Sequence, residues 1–142
     1  MDIVETLKSA PIFSVLSRRD LTRFAQTARL RTYRPGSAIV KEGATAVACF
    51  IISTGKVEVV KGADTARAAV LATLGAGDFF GEMAVITPQP RNATVRAIDE
   101  TECVVIRNID FRAELRAHPE MAVKMLPVLV ERLRVAEARP TE

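Results

Sequence analysis

The chain has 142 residues, 49% of them apolar and 26% charged, which is enough for one domain with a core and too apolar for a disordered polymer. Apolar runs such as Val47 to Ile52 are far too short to span a bilayer, so no membrane association is expected. The net charge of +3 comes from 20 basic residues interleaved with 17 acidic ones, with no Lys/Arg block, so direct nucleic-acid binding is not expected.

The start, MDIVETLKSA, lacks the basic n-region and long apolar stretch of a signal peptide, which points to the cytoplasm. Residues 1–30 read as helical. Ser17 and Asp20 resemble a capping box with Asp in place of Glu, and Leu21, Phe24, Ala25 and Ala28 follow at helical spacing. Ala10-Pro11-Ile12-Phe13 reads as a break between two short helical pieces.

From Leu30 the period changes. Pro35-Gly36, Glu42-Gly43, Thr54-Gly55, Lys61-Gly62 and Gly75-Ala76-Gly77 punctuate the runs SAIVKE, AVACFIIS, KVEVV, ARAAVLATL, TVRAI and ECVVIR. Short strands between glycine turns indicate an antiparallel sandwich or barrel over residues 31–108. Thr54-Gly55 reads as a hairpin turn; Gly55-Lys56 lacks the upstream glycine and following Ser/Thr of a phosphate-binding P-loop. Cys49 and Cys103 lie singly in apolar runs and read as buried reduced thiols, and with His118 the only histidine no metal set is expected.

Helical periodicity returns over 109–139. Phe111, Ala113 and Leu115 fit a short helix ended by His118-Pro119, and Pro119 suits the first turn of a second helix with Glu120 near its positive end. Ala122, Met125, Leu126, Leu129, Leu133 and Ala136 form the apolar face of that helix, and Pro127 within it predicts a kink or a split. No repeat or linker interrupts the chain, so residues 1–142 read as one domain.

The chemistry concentrates in DFFGEMAVITPQPRNATV, residues 78–95. Gly81 followed by Glu82, Met83 and Ala84 predicts a brief helical turn whose first N–H groups can bind an anion, with glycine admitting the ligand close to the main chain. Arg91 supplies the permanent, bidentate cation that a phosphate prefers. Glu82 would repel a phosphate but can accept a hydrogen bond from a neighbouring hydroxyl. An anion beside a vicinal hydroxyl describes a nucleotide.

The whole stretch resembles the phosphate-binding cassette of cyclic nucleotide-binding domains, F-G-E-[LIM]-A-L followed by P-R-x-A-T-V. That family includes protein kinase A regulatory subunits, cyclic-nucleotide-gated channels and bacterial Crp/Fnr-type regulators such as the cAMP receptor protein. Pro35-Gly36, Gly43, Phe50-Ile51-Ile52 and Gly55-Lys56-Val57-Glu58-Val59 extend the likeness over most of the chain. The resemblance implies an eight-stranded antiparallel β-roll with N-terminal helices, a short cassette helix and C-terminal helices. It implies that Glu82 binds the ribose 2′-hydroxyl and Arg91 the cyclic phosphate, with backbone N–H groups near Gly81, Met83, Ala84, Asn92 and Ala93 completing the cradle.

Asn92 stands where a hydroxyl goes with cGMP preference in relatives, which favours cAMP over cGMP. The polar Thr-Ser pair with which the bacterial regulators cap the base falls near Ala136-Glu137 here, whereas Arg132 stands where an arginine reaches the purine in several relatives. No Ser or Cys with a base, no carboxylate pair and no metal set is recognisable, so the expectation is a sensor and not an enzyme. The C-terminal helix is expected to act as lid and as a homodimer surface. No output domain is recognised by Glu142; a regulator's sensory part, or a homologue that has lost binding, are the alternatives.

Overall fold

The computed structural model describes residues 2–81 and 90–138, apart from the side chains of Ala136 and Ala138. Three helices open the chain: α1 (Ile3–Ser9), α2 (Pro11–Ser14) and α3 (Arg18–Thr27). The expected break at 10–13 is confined to Ala10: Pro11 takes the first turn of α2, where its missing N–H is harmless, so Ile12 and Phe13 are helical. Ser17 caps α3 by accepting from the Asp20 amide at 3.2 Å. Asp20 does not reciprocate; one methylene shorter than glutamate, its carboxylate pairs with Arg23 on the next turn at 2.6 Å.

The described strands are β1 (Arg29–Tyr33), β2 (Ala38–Val40), β3 (Ala48–Thr54), β4 (Lys56–Lys61), β5 (Ala69–Gly75), β6 (Phe79–Phe80), β7 (Thr94–Ala97) and β8 (Thr101–Arg107). They form two antiparallel four-stranded sheets, ordered β1-β8-β3-β6 and β2-β7-β4-β5. The helices thus give way to strands at Arg29, ahead of the boundary expected at residue 31. β1 and β6 are the strands that the apolar pattern does not announce, because RLRTY is largely exposed and β6 is only two residues long.

Thr54-Gly55 is not a hairpin turn. β3 pairs with β6 and β8, whereas β4 pairs with β5 and β7, so this turn carries the chain from one sheet to the other. Gly55 has φ of 104°, and a Cβ there would stand 2.5 Å from the Glu100 carbonyl oxygen and 2.6 Å from Thr101 Cα. Only glycine makes so sharp a corner against another backbone.

β3 is apolar from Ala48 to Ile52 because both its faces are covered. Cys49 and Ile51, opposite Ile106 and Val104 of β8, face the helices; Ala48, Phe50 and Ile52 face the interior of the roll. On the helix side Phe24 packs between Phe13 at 5.2 Å and Phe111 at 5.5 Å, centroid to centroid. Phe111 comes from α4 (Asn108–Ala117), and Met121 and Met125 of α5 (Glu120–Ala138) complete this core. The flanking helices of both termini therefore form one layer over the β1-β8-β3-β6 sheet.

Three expectations for α5 are corrected: a split at Pro127, the buried face and the place of Pro119. The helix runs unbroken through Pro127, which is exposed and does not split it. Its buried residues are Met121 and Met125, whereas Leu126 and Leu133 of the expected face are more than half exposed. Pro119 immediately precedes the helix instead of lying in its first turn. Among the described residues no helix is long and apolar enough to cross a membrane.

Candidate functional site

The segment around Arg91 is laid against the turn after β2. Thr45 bridges Pro90, the Arg91 amide donates to the Ala44 carbonyl at 2.8 Å, and the Gly43 amide donates to the Arg91 carbonyl at 2.9 Å. With its backbone held on both sides, Arg91 can only send its side chain into the roll or out of it. It goes in: Nη2 donates to the Ala48 carbonyl at 2.7 Å, and the guanidinium carbon lies 5.8 Å from the centroid of the Phe50 ring. Phe50 is itself stacked on Phe80 at 4.9 Å with the ring planes 8° apart.

Gly81 explains itself at this point. Its φ is 79°, and an added Cβ would collide with Nη1 of Arg91 and stand 3.0 Å from the Ala48 carbonyl oxygen. The space a side chain would occupy belongs to the guanidinium. A residue other than glycine would therefore be strained in its backbone and would displace the arginine.

Beside Arg91 lies a recess of about 320 Å³ lined by Ala38, Ile39, Val40, Lys41, Ala44, Thr45, Val47, Ala48 and Phe50. Its walls are mostly apolar, and Arg91 is among the residues that line it. The bond to the Ala48 carbonyl helps to orient the guanidinium. A guanidinium beside apolar walls is chemically suited to an anion that carries an apolar group.

The structure thus brings Gly81 and Arg91 together, with Asn92 and Ala93 following directly in the loop before β7. Glu82, Met83 and Ala84, and the expected cassette helix, lie outside the described residues. Among the described residues, Arg132 meets Phe79 of β6. Its guanidinium carbon lies 4.8 Å from the centroid of Phe79. Phe79 packs with the helix-side core while its neighbour Phe80 belongs to the interior of the roll, as alternation along a strand requires.

Several participants were not legible in the sequence. Phe50 and Phe80 read only as apolar positions, and nothing in a sequence marks the Ala48 carbonyl as an acceptor. Both cysteines are buried and neither is in a disulfide, as expected. The thiol of Cys103 is pushed up to about 12 by burial and then by Glu102, which keeps it protonated and unreactive at neutral pH. Among the described residues no group of three or more His, Cys, Asp or Glu could hold a metal.

Residues 30–118 match the protein family described as "Cyclic nucleotide-binding domain". Over 131 residues the chain is 28% identical to the cyclic AMP receptor protein of Thermus thermophilus, covering 92% of this chain and 61% of that protein. It is 36% identical to the cAMP-dependent protein kinase regulatory subunit of Yarrowia lipolytica, over 64% of this chain and 24% of that one. The chain therefore spans between 24% and 61% of the lengths of these curated relatives. The solved N-terminal domain of a transcriptional regulator from Streptomyces coelicolor superposes with a TM-score of 0.85 at 25% identity, covering 93% of this chain and 92% of that one.

Proposed function

This chain belongs to the cyclic nucleotide-binding domain family, and we propose from that membership that it binds cAMP at Arg91 and reports occupancy through its C-terminal helices. The observation that carries the reading is the Arg91 guanidinium, seated over Gly81, bonded to the Ala48 carbonyl and facing a mostly apolar recess. The cyclic phosphate binds the guanidinium, backbone N–H groups at Gly81, Met83, Ala84, Asn92 and Ala93 complete the cradle, and Glu82 accepts from the ribose hydroxyl. The Thermus relative is named a cyclic AMP receptor, and Asn92 offers no hydroxyl of the kind that goes with cGMP.

The domain binds without turnover in this reading, because the recess brings a cation and apolar walls but no activated nucleophile. The reduced thiols Cys49 and Cys103 suit a cytoplasmic setting. Isothermal titration with cAMP and cGMP is the direct test. No heat with either at millimolar ligand overturns the proposal, and conversion of cAMP to AMP overturns its non-catalytic part.

A second partner is argued from α5. Val123, Leu126, Val130 and Leu133 are each more than half exposed, and they alternate at the three- and four-residue spacing of a coiled-coil seam. We infer that a second copy of the chain covers this stripe, forming a homodimer through α5. Sedimentation showing monomer alone at tens of micromolar, with and without cAMP, overturns it.

A further inference from the structure

One bonded group beside the phosphate cradle is not accounted for by ligand contact. Nζ of Lys61, at the end of β4, donates to the carbonyl oxygen of Asn92 at 2.8 Å. The same ammonium lies 3.5 Å from Oε2 of Glu42. Oε1 of Glu42 accepts from the Gly62 amide at 2.9 Å, and the Glu42 amide donates to Oγ1 of Thr94 at 3.0 Å. The turn after β2, the end of β4 and the loop before β7 are thereby tied together around the residues that follow Arg91.

Stability is a poor reason for this arrangement. The side chains of Lys61 and Glu42 are 56% and 35% exposed, and ion pairs so open to water contribute little. Its effect is on orientation. The bonds of Arg91 to Ala44 and Gly43 hold the backbone up to Arg91, and the β7 ladder begins only at Thr94. Between them the Asn92–Ala93 peptide has Lys61 on its carbonyl. In a trans peptide the C=O and N–H point to opposite sides. With the Asn92 carbonyl drawn to Lys61, the Ala93 N–H is turned away from Lys61. The Gly62 amide, aided by Lys61, holds the Glu42 carboxyl below its ordinary range, so Glu42 stays anionic as a counter-charge for the ammonium.

We propose that Lys61 is a positioning residue for the phosphate subsite: through the Asn92 carbonyl it aims the Ala93 N–H at the anion that Arg91 binds, with Glu42 steadying the ammonium. This rests on the reading of Arg91 as the phosphate ligand.

The test uses the intact chain as wild type, Lys61→Met, Lys61→Arg and Glu42→Gln, with two readouts: affinity for cAMP, and the ¹H–¹⁵N resonance of the Ala93 amide in the ligand-free protein. Lys61→Met is expected to bind on the order of tenfold more weakly, the size of one charge-assisted hydrogen bond. Its urea midpoint should not move and its Ala93 resonance should shift. Lys61→Arg keeps a donor and should recover most of the affinity; Glu42→Gln should lose about two- to threefold, as for an exposed pair. An unmoved Ala93 resonance in Lys61→Met overturns the inference whatever the affinity does. So does a loss of affinity that Lys61→Arg fails to restore, which would mark a long-range charge effect. If the wild type binds neither cAMP nor cGMP, the site reading fails, and the ligand-free Ala93 resonance still reports separately whether Lys61 orients that peptide.

Discussion

The two faces of the β1-β8-β3-β6 sheet carry the same pairing, an arginine over a phenylalanine, to different ends. On the helix side Arg132 lies over Phe79, above a core in which Phe13, Phe24, Phe111 and Met121 are almost wholly buried. Inside the roll Arg91 lies over Phe50, but small residues such as Ala38, Ala44 and Ala48 leave a recess beside it. The difference separates the face that carries stability from the face proposed to carry binding. The outer face is filled by side chains from helices of both chain ends, whereas the inner face keeps space and a partly buried charge.

That division can be broken most forcefully from the outer face. Phe24→Ala removes the ring between Phe13 and Phe111 and should lower unfolding stability by about 3–5 kcal/mol, read from urea denaturation. If the comparison holds, the fraction that remains folded binds cAMP as the wild type does. Arg91→Ala is the converse. It should remove about 2–5 kcal/mol of cAMP binding energy, measured by titration, while the urea midpoint stays close to wild type. A midpoint that collapses would mean that Arg91 is a structural strut and that the two faces are not distinct in kind.

Gly81→Ala sharpens the contrast at a single atom. The left-handed backbone and the contact with Arg91 together predict a loss of about 1–2 kcal/mol in binding, with the guanidinium pushed off the Ala48 carbonyl. Full affinity in this variant would show that the arginine can serve the anion from another position. In Arg132→Ala the lost contact with Phe79 by itself accounts for about 0.5–1 kcal/mol of stability, the smallest term of the four. Thermal melts report that term. Titration of the same variant shows whether Arg132 also reaches the purine once ligand is bound; a several-fold loss in affinity would mean that α5 carries it from the outer face to the base.

Much of this molecule was legible in its residues. Gly81 and Arg91, with prolines before and small residues after, stood out in the sequence as a candidate site, and the structure brings the two together. The fully apolar run of β3 and the helical spacing at both ends marked the order of elements, because those patterns record which faces must leave water. Patterns do not record what covers a face. Thr54-Gly55 has the composition of a hairpin turn, yet β8 and β7 are the partners that decide its course, and the chain changes sheet there. The face of α5 that is buried follows Met121 and Met125, because Phe13 and Phe111 of the helix layer are what it meets. The carbonyls of Ala48 and Asn92, which hold Arg91 and Lys61, have no signature at all, since every residue carries one. Local chemistry thus determined what kinds of group the site contains, and only the packing of distant segments decided which atoms hold them in place.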